Sequence, residues 1–360
     1  NLADFSRLDH RVFQVCKDLK KKSQKVILIS RNPNIRLKGN QLGIDTELFK
    51  DEIFPKPCDQ YKGIVEVFMP GSSMEKMFTD ERGVPVEEVY QYENFDWIEN
   101  EFVEIVSDTS KAIGRYTNGR IVRLKYDKSI PGGHKALNVE QVVFWESLLM
   151  PPDIAPLVVT KGVAGTGKTY CSLAMALNAI EKKGDKKKQT YKQIIVATPT
   201  VTVANEELGF LPGEIDDKVG PYLGGIVDNL KEILRPKFPD FTNAELKKKA
   251  MEFFERGDIE IQPIGFLRGR TIPNTVFIID ETQNIKPCDI KDIVTRSAEG
   301  SKFIFLGDAD QVNNPALNSR YNGLVYLSEK MKGNPHTFQI TLNSKKSVRS
   351  KLAQEALDIL

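Results

Sequence analysis

The chain has 360 residues, room for two or three domains, and its 40% hydrophobic and 28% charged content is that of an ordinary globular protein. With 51 Lys and Arg against 49 Asp and Glu, it is not a basic protein as a whole, so any nucleic-acid surface has to be a local patch. No run reaches the roughly 18 apolar residues of a membrane helix, which excludes a helical membrane protein as the reading.

Four cysteines, Cys16, Cys58, Cys171 and Cys288, stand far apart with no CxxC and no His cluster. That spacing offers neither a zinc site nor a disulfide framework and fits a reducing cytoplasm. The opening Asn1-Leu2-Ala3-Asp4 has no Met and no signal pattern, and it reads as a cut boundary rather than a native terminus.

In chain order, Asp9 to Lys21 carries a helical apolar stripe at Val12, Phe13, Val15, Cys16 and Leu19. Lys25 to Ser30 is a short buried strand, the Arg31-Asn-Pro-Asn34 run a turn, and residues 35–50 a second helix. Together, residues 1–56 look like the back half of a small α/β domain whose front half is missing. Residues 51–95 are interrupted by Pro55, Pro57, Pro70, Gly71, Gly83 and Pro85, and 57–95 reads as a connector with short ordered pieces. Residues 96–130 read as a small antiparallel β unit, because Asn118-Gly119 between two alternating runs is a hairpin signal. Pro131-Gly-Gly133 is a hinge. From Leu137 onward strands and helices alternate. The strand candidates are 156–160, 193–197, 275–280, 302–306 and 337–342, and their continuous apolar character suits a parallel sheet covered on both faces.

Gly162-Val163-Ala164-Gly165-Thr166-Gly167-Lys168-Thr169 fits the phosphate-binding pattern GxxxxGK[ST] in full, with a strand before it and a helix from Tyr170 after it. The glycines let successive N–H groups face the phosphates. Lys168 puts a charge on the β and γ groups, and the Thr169 hydroxyl can ligate Mg²⁺. Residues Gly162 to Tyr170 are therefore the expected ATP contacts. Asp280-Glu281 ends an apolar strand, where an open α/β sheet presents ligands. Asp280 is expected to hold Mg²⁺ and Glu281 to polarise the attacking water. Gly307-Asp308-Ala-Asp-Gln311 follows another such strand; Gln311 can sense the γ-phosphate, and Asp308 can cap the next helix. Gln141 can pair with adenine's N6 and N7 edge, or simply begin a surface helix.

These segments resemble the PhoH family of ATPases over roughly residues 136–360. The resemblance rests on the P-loop, Leu208-Gly-Phe-Leu-Pro-Gly213, Lys218-Val-Gly-Pro-Tyr222, Arg268-Gly-Arg270, Asp280-Glu-Thr-Gln-Asn284, the 307–311 run and Val348-Arg349. It implies a RecA-like core similar to that of superfamily 1 helicases, with a parallel sheet. One departure is Thr198-Pro199, where the family usually has Arg-Pro. The N-terminal piece is similar to the last part of a PIN domain, through Asp9-His-Arg11 and Val26 to Asn32. PIN nucleases gather carboxylates around a divalent cation; Asp9 matches one of these, but Asn32 stands where an acid is expected and cannot supply its charge. Arg268, Arg270 and Arg349 are candidate arginine fingers. Because the chain has a single ATPase core, a neighbouring subunit has to supply the finger, and the resemblance suggests a hexameric ring.

The leading functional expectation is an RNA-dependent ATPase or helicase acting on single-stranded RNA. Thr200, Thr202, Arg268 and Arg270 are candidate contacts. The lysine runs 20–22, 186–188 and 247–249 are weighed against ordinary solvated faces. The alternatives are an ATP-switched protein-remodelling factor and a PIN-type metal-dependent endoribonuclease regulated by the ATPase domain.

Overall fold

The computed structural model describes residues 8–22, 25–30, 32–47, 54–90, 95–108, 110–126, 130–131, 134–181, 191–199, 215–267 and 270–342. The chain divides into two compact units, Asn1–Pro55 and Lys56–Leu360.

In the first unit, helix α1 (Leu8–Lys21), strand β1 (Ile27–Ile29), helix α2 (Pro33–Gln41) and strand β2 (Asp45–Glu47) pack around Phe13, Cys16, Leu28 and Ile44. The two strands run parallel. The second helix is shorter than the 35–50 span expected. It starts at Asn32, whose side chain accepts the Asn34 N–H at 2.9 Å, with Pro33 at the first helical position. It stops before Gly43, which turns the chain at φ +72° into β2. Asn32 is thus employed as a helix cap.

The second unit opens with a five-stranded sheet, and here the structure corrects the expected boundaries. The segment read as a connector contributes strand β3 (Ile64–Phe68), helix α3 (Gly71–Thr79) and the short strand β4 (Val84–Pro85). These join β5 (Phe102–Val106), β6 (Lys111–Thr117) and β7 (Arg120–Arg123) in the order β3-β5-β6-β7-β4. The sheet is mixed, not wholly antiparallel, because β3 runs parallel to β5. The prolines that break the sequence pattern sit at element borders, Pro70 as the N-cap of α3 and Pro85 in a two-residue edge strand. The β6–β7 hairpin turns at Asn118-Gly119 with both residues at positive φ, as the dipeptide predicts.

Six parallel strands form the main sheet: β8 (Leu157–Gly162), β9 (Gln193–Thr198), β10 (Ile259–Pro263), β11 (Thr275–Ile279), β12 (Lys302–Gly307) and β13 (Thr337–Leu342). Their order is β10-β9-β11-β12-β8-β13. Five were expected; β10 was not, because its Ile-Glu-Ile-Gln alternation belongs to a half-buried edge rather than a two-sided core strand. Successive strand residues point to opposite faces. Val158, Ile194, Val276 and Ile304 pack beneath α4 (Val139–Leu149), α5 (Lys168–Glu181), α6 (Ile215–Leu234) and α7 (Asn243–Glu255). Val159, Ile195, Phe277 and Phe305 face α8 (Pro287–Val294) and α9 (Gly323–Lys330).

Two buried polar residues tie these layers together. Lys302, fully buried at the start of β12, donates to the carbonyls of Ser147, Leu148 and Met150 at 2.7–2.8 Å, satisfying the open C-terminal end of α4. Burial pulls its ammonium down to a pKa of about 7. On the β13 side, Asn100 donates to the Pro335 carbonyl at 2.8 Å and accepts from Arg115, whose guanidinium lies over the Phe338 ring. The Thr341 N–H donates to the Lys62 carbonyl at 2.9 Å. Among the described residues no helix is long and apolar enough to cross a membrane, and no cluster of metal-ligating side chains occurs. All four cysteines are free thiols, Cys16 and Cys171 buried, Cys58 and Cys288 exposed.

Candidate nucleotide site

The P-loop spans the gap between the end of β8 and the start of α5, at the edge of the sheet where β11 and β12 also end. Gly162, Gly165 and Gly167 all adopt positive φ, which lets the loop curl around a phosphate-sized space. Lys168 is buried and reaches back over the loop, donating to the carbonyls of Gly162 at 2.5 Å and Val163 at 2.9 Å. The Thr166 hydroxyl also donates to the Val163 carbonyl, closing the loop on itself. Ala164 and Gly165 form its turn. A cleft of about 280 Å³ opens beside Gly162 and Val163, walled by Lys161, Asp308, Asp310 and Thr341.

The decisive contact lies across the site. The Thr169 hydroxyl donates to the Asp280 carboxylate at 2.8 Å, which joins two residues 111 positions apart in sequence. A hydroxyl and a carboxylate side by side at the mouth of a P-loop are the hard oxygen donors that Mg²⁺ takes, so the residues present fit that ion. Glu281 follows in the left-handed region at φ +54°, its N–H donating to the other Asp280 oxygen at 2.9 Å. Burial raises its carboxyl pKa, and the neighbouring Asp280 charge raises it further; the Gln283 hydrogen bond and the Lys168 ammonium act in the opposite direction. Asp308 faces the same space. Burial raises its carboxyl as well, while the Asp310 N–H, Lys168 and the Ala164 N–H favour its charged form. Its carboxylate accepts the Asp310 N–H at 3.1 Å, so it turns its own loop rather than capping a helix.

The structure places the remaining expected residues as follows. Gln141 is buried, its carbonyl oxygen accepting the Leu137 N–H at 2.8 Å and its amide donating to the Thr166 carbonyl at 3.1 Å. It braces the P-loop from α4, whose N-cap is Asn138. Tyr170 meets His134 through a 2.7 Å hydrogen bond and an edge-on ring contact. Gln311 is exposed on the loop after β12, and its main-chain carbonyl accepts from Gln283 at 3.1 Å. Arg270 is exposed near β10, donating to Gln262 at 3.2 Å. Arg268, Arg349, Thr200, Thr202, the 208–213 segment and lysines 186–188 lie outside the described residues, as do the side chains of Asp9 and of residues 218–222. Lys20–Lys22, Lys247 and Lys248 are exposed, and Lys249 pairs with Glu252 at 2.7 Å. Sequence reasoning assigned nothing to Gln283 and Asn284. Both are buried, and their signal in the sequence was their place in the Asp280-Glu-Thr-Gln-Asn284 run that carries the family resemblance.

Residues 135–360 match the family described as PhoH-like protein, and residues 1–50 match the PIN domain family. Protein PhoH2 of Bacillus subtilis (strain 168) is 33% identical over 363 residues, covering 98% of this chain and 77% of that protein. A PhoH-like protein of the same organism is 38% identical over 202 residues, 56% of this chain and 57% of its own. Among solved structures, Pif1 helicase from Candida albicans aligns with 63% of this chain and 43% of its own at 19% identity and a TM-score of 0.31. With its α/β core matched over residues 135–360 and a PhoH2 protein related along nearly its full length, the chain belongs to the PhoH-like protein family and carries that family's P-loop ATPase core.

Proposed function

We propose that the chain hydrolyses ATP with Mg²⁺ and uses the cycle to bind and move single-stranded RNA. The observation that carries the hydrolytic part is the Thr169–Asp280 contact at 2.8 Å with Glu281 and Lys168 beside it. The P-loop N–H groups and Lys168 hold the triphosphate. Thr169 and Asp280 would hold Mg²⁺, which supplies charge neutralisation at the phosphate oxygens. Glu281 orients a water and takes its proton as the water oxygen bonds to the γ-phosphorus and the bond to ADP breaks, releasing inorganic phosphate. Burial raises the Glu281 carboxyl, which makes it a better proton acceptor than a solvated one.

The RNA reading is supported by the PIN-domain match over residues 1–50, a module whose relatives act on RNA, in the same chain as the ATPase core. Arg268, Arg270 or Arg349 serves as the finger of an adjoining subunit in a homo-oligomeric ring, a hexamer by family resemblance, working in the cytoplasm. The test is phosphate release with and without single-stranded RNA, beside a Lys168→Ala control. A several-fold rise with RNA that vanishes in the control supports the reading. Hydrolysis indifferent to RNA replaces it with remodelling of a protein partner, and hydrolysis surviving Lys168→Ala removes the site assignment.

A further inference from the structure

Glu281 lies between β11 and a short turn, at a backbone conformation that non-glycine residues seldom adopt, so regular secondary structure does not fix where its carboxylate points. A side-chain amide does. Gln283, 1% exposed, donates from Nε2 to Glu281 Oε2 at 2.7 Å. The same nitrogen donates to the Gln311 carbonyl at 3.1 Å, and Oε1 accepts the Asp308 N–H at 3.1 Å. Asn284 adds a second grip, its Oδ1 accepting the N–H groups of Asn313 and Asn314 at 2.7 and 3.3 Å. The fit leaves no slack: a Cβ at Gly307 would fall 2.3 Å from Gln283 Oε1. One amide therefore touches both the Glu281 carboxylate and the main chain of the 308–311 loop, whose Asp310 and Gln311 are exposed.

We propose that Gln283 is a positioning residue that aims the Glu281 carboxylate and makes its aim depend on where the 308–311 loop sits. A ligand or subunit that displaces the exposed loop then changes the rate of hydrolysis. This rests on the ATPase reading above. The geometry gives it a direction, since the loop cannot move away from β11 without drawing on the amide that holds Glu281.

The test replaces Gln283 with Met, which has similar length and no donor. Expected is a roughly ten- to hundredfold fall in kcat, with KM and the Kd of a fluorescent ADP analogue within about twofold of wild type. Gly307→Ala, which pushes on the same amide, is expected to reproduce the kcat loss, and the double variant to fall no further than Gln283→Met alone. Gln283→Asn, one methylene too short to reach both partners, takes its place if the Met variant does not fold. A merely structural role predicts instead a lowered melting temperature, with kcat, KM and Kd degraded together. Wild-type kcat in Gln283→Met, or losses that multiply in the double variant, overturns the proposal. Glu281→Gln and Lys168→Ala run alongside. If both abolish hydrolysis while Gln283→Met retains it, only the positioning role is lost; if wild type releases no phosphate, or Glu281→Gln is fully active, the ATPase reading falls and takes the proposal with it.

Discussion

Replacing Lys302 with Met separates two forces that meet at one buried nitrogen. The ammonium satisfies three carbonyls at the end of α4, and only the protonated form has three donors to offer. Burial opposes this by lowering its pKa from 10.5 to about 7. With the folded value below the unfolded one, the unfolded chain binds more protons between these limits, so this group makes stability rise with pH from about 7 to about 10.5. Integrated from pH 6 to pH 9, the gain is about 2–3 kcal/mol. The Met variant loses that titration and leaves three carbonyls without a donor, at about 1–3 kcal/mol each. It is expected to be less stable than wild type, by a margin that widens by about 2–3 kcal/mol on going from pH 6 to pH 9. Urea unfolding followed by tryptophan fluorescence reads this directly, because Trp145 lies buried in α4 two residues before Ser147. A margin constant with pH would refute the reasoning, since it would mean that Lys302 has the same proton affinity folded and unfolded.

Thr169→Ala and Asp280→Asn should each weaken Mg²⁺-dependent nucleotide binding roughly tenfold or more, and chelating the metal should bring wild type down to the variants; isothermal titration with and without EDTA checks this. Gln141→Met frees the Thr166 carbonyl and should raise the Kd for nucleotide about tenfold by loosening the loop, an effect visible in the same titration and absent if Gln141 only starts a helix. Asn100→Ala removes the bonds to Arg115 and the Pro335 carbonyl and leaves a non-glycine residue at φ +66°, a loss of about 2–4 kcal/mol in urea unfolding. A loss below about 1 kcal/mol would show that the anchoring lies elsewhere.

Much of the core was legible because its signals are local. The GxxxxGK[ST] run, the two-sided strand 275–280 and the Asn118-Gly119 turn each announce their structure within a few residues. The 57–95 segment hides its strand for a physical reason: β3 is five residues long, and its partner β5 lies 38 positions later, so the pairing that makes it a strand leaves no local trace. The end of α2 at Gln41, well short of residue 50, follows from Gly43, whose positive φ terminates the helix. At the site, Lys168, Thr169, Asp280 and Glu281 could be named in advance because their chemistry is carried by residue type. Gln283 could not. Its importance comes from reaching both Glu281 and a loop 25–28 residues away, and no periodicity encodes such a reach.

The way Asn100 and Lys62 meet the outer side of β13 has a bearing on association. An uncovered strand at the border of a sheet offers its main chain to any extended segment that drifts past, and proteins guard such borders. Here the guard is the chain's own preceding module: the Asn100 amide meets the Thr337 carbonyl at the start of β13, and the Lys62 carbonyl meets the Thr341 N–H near its end. The opposite border, β10, ends in Pro263, which has no N–H to lend. The two borders of the main sheet are thus guarded by different means, a preceding module of the same chain on one side and a terminal proline on the other.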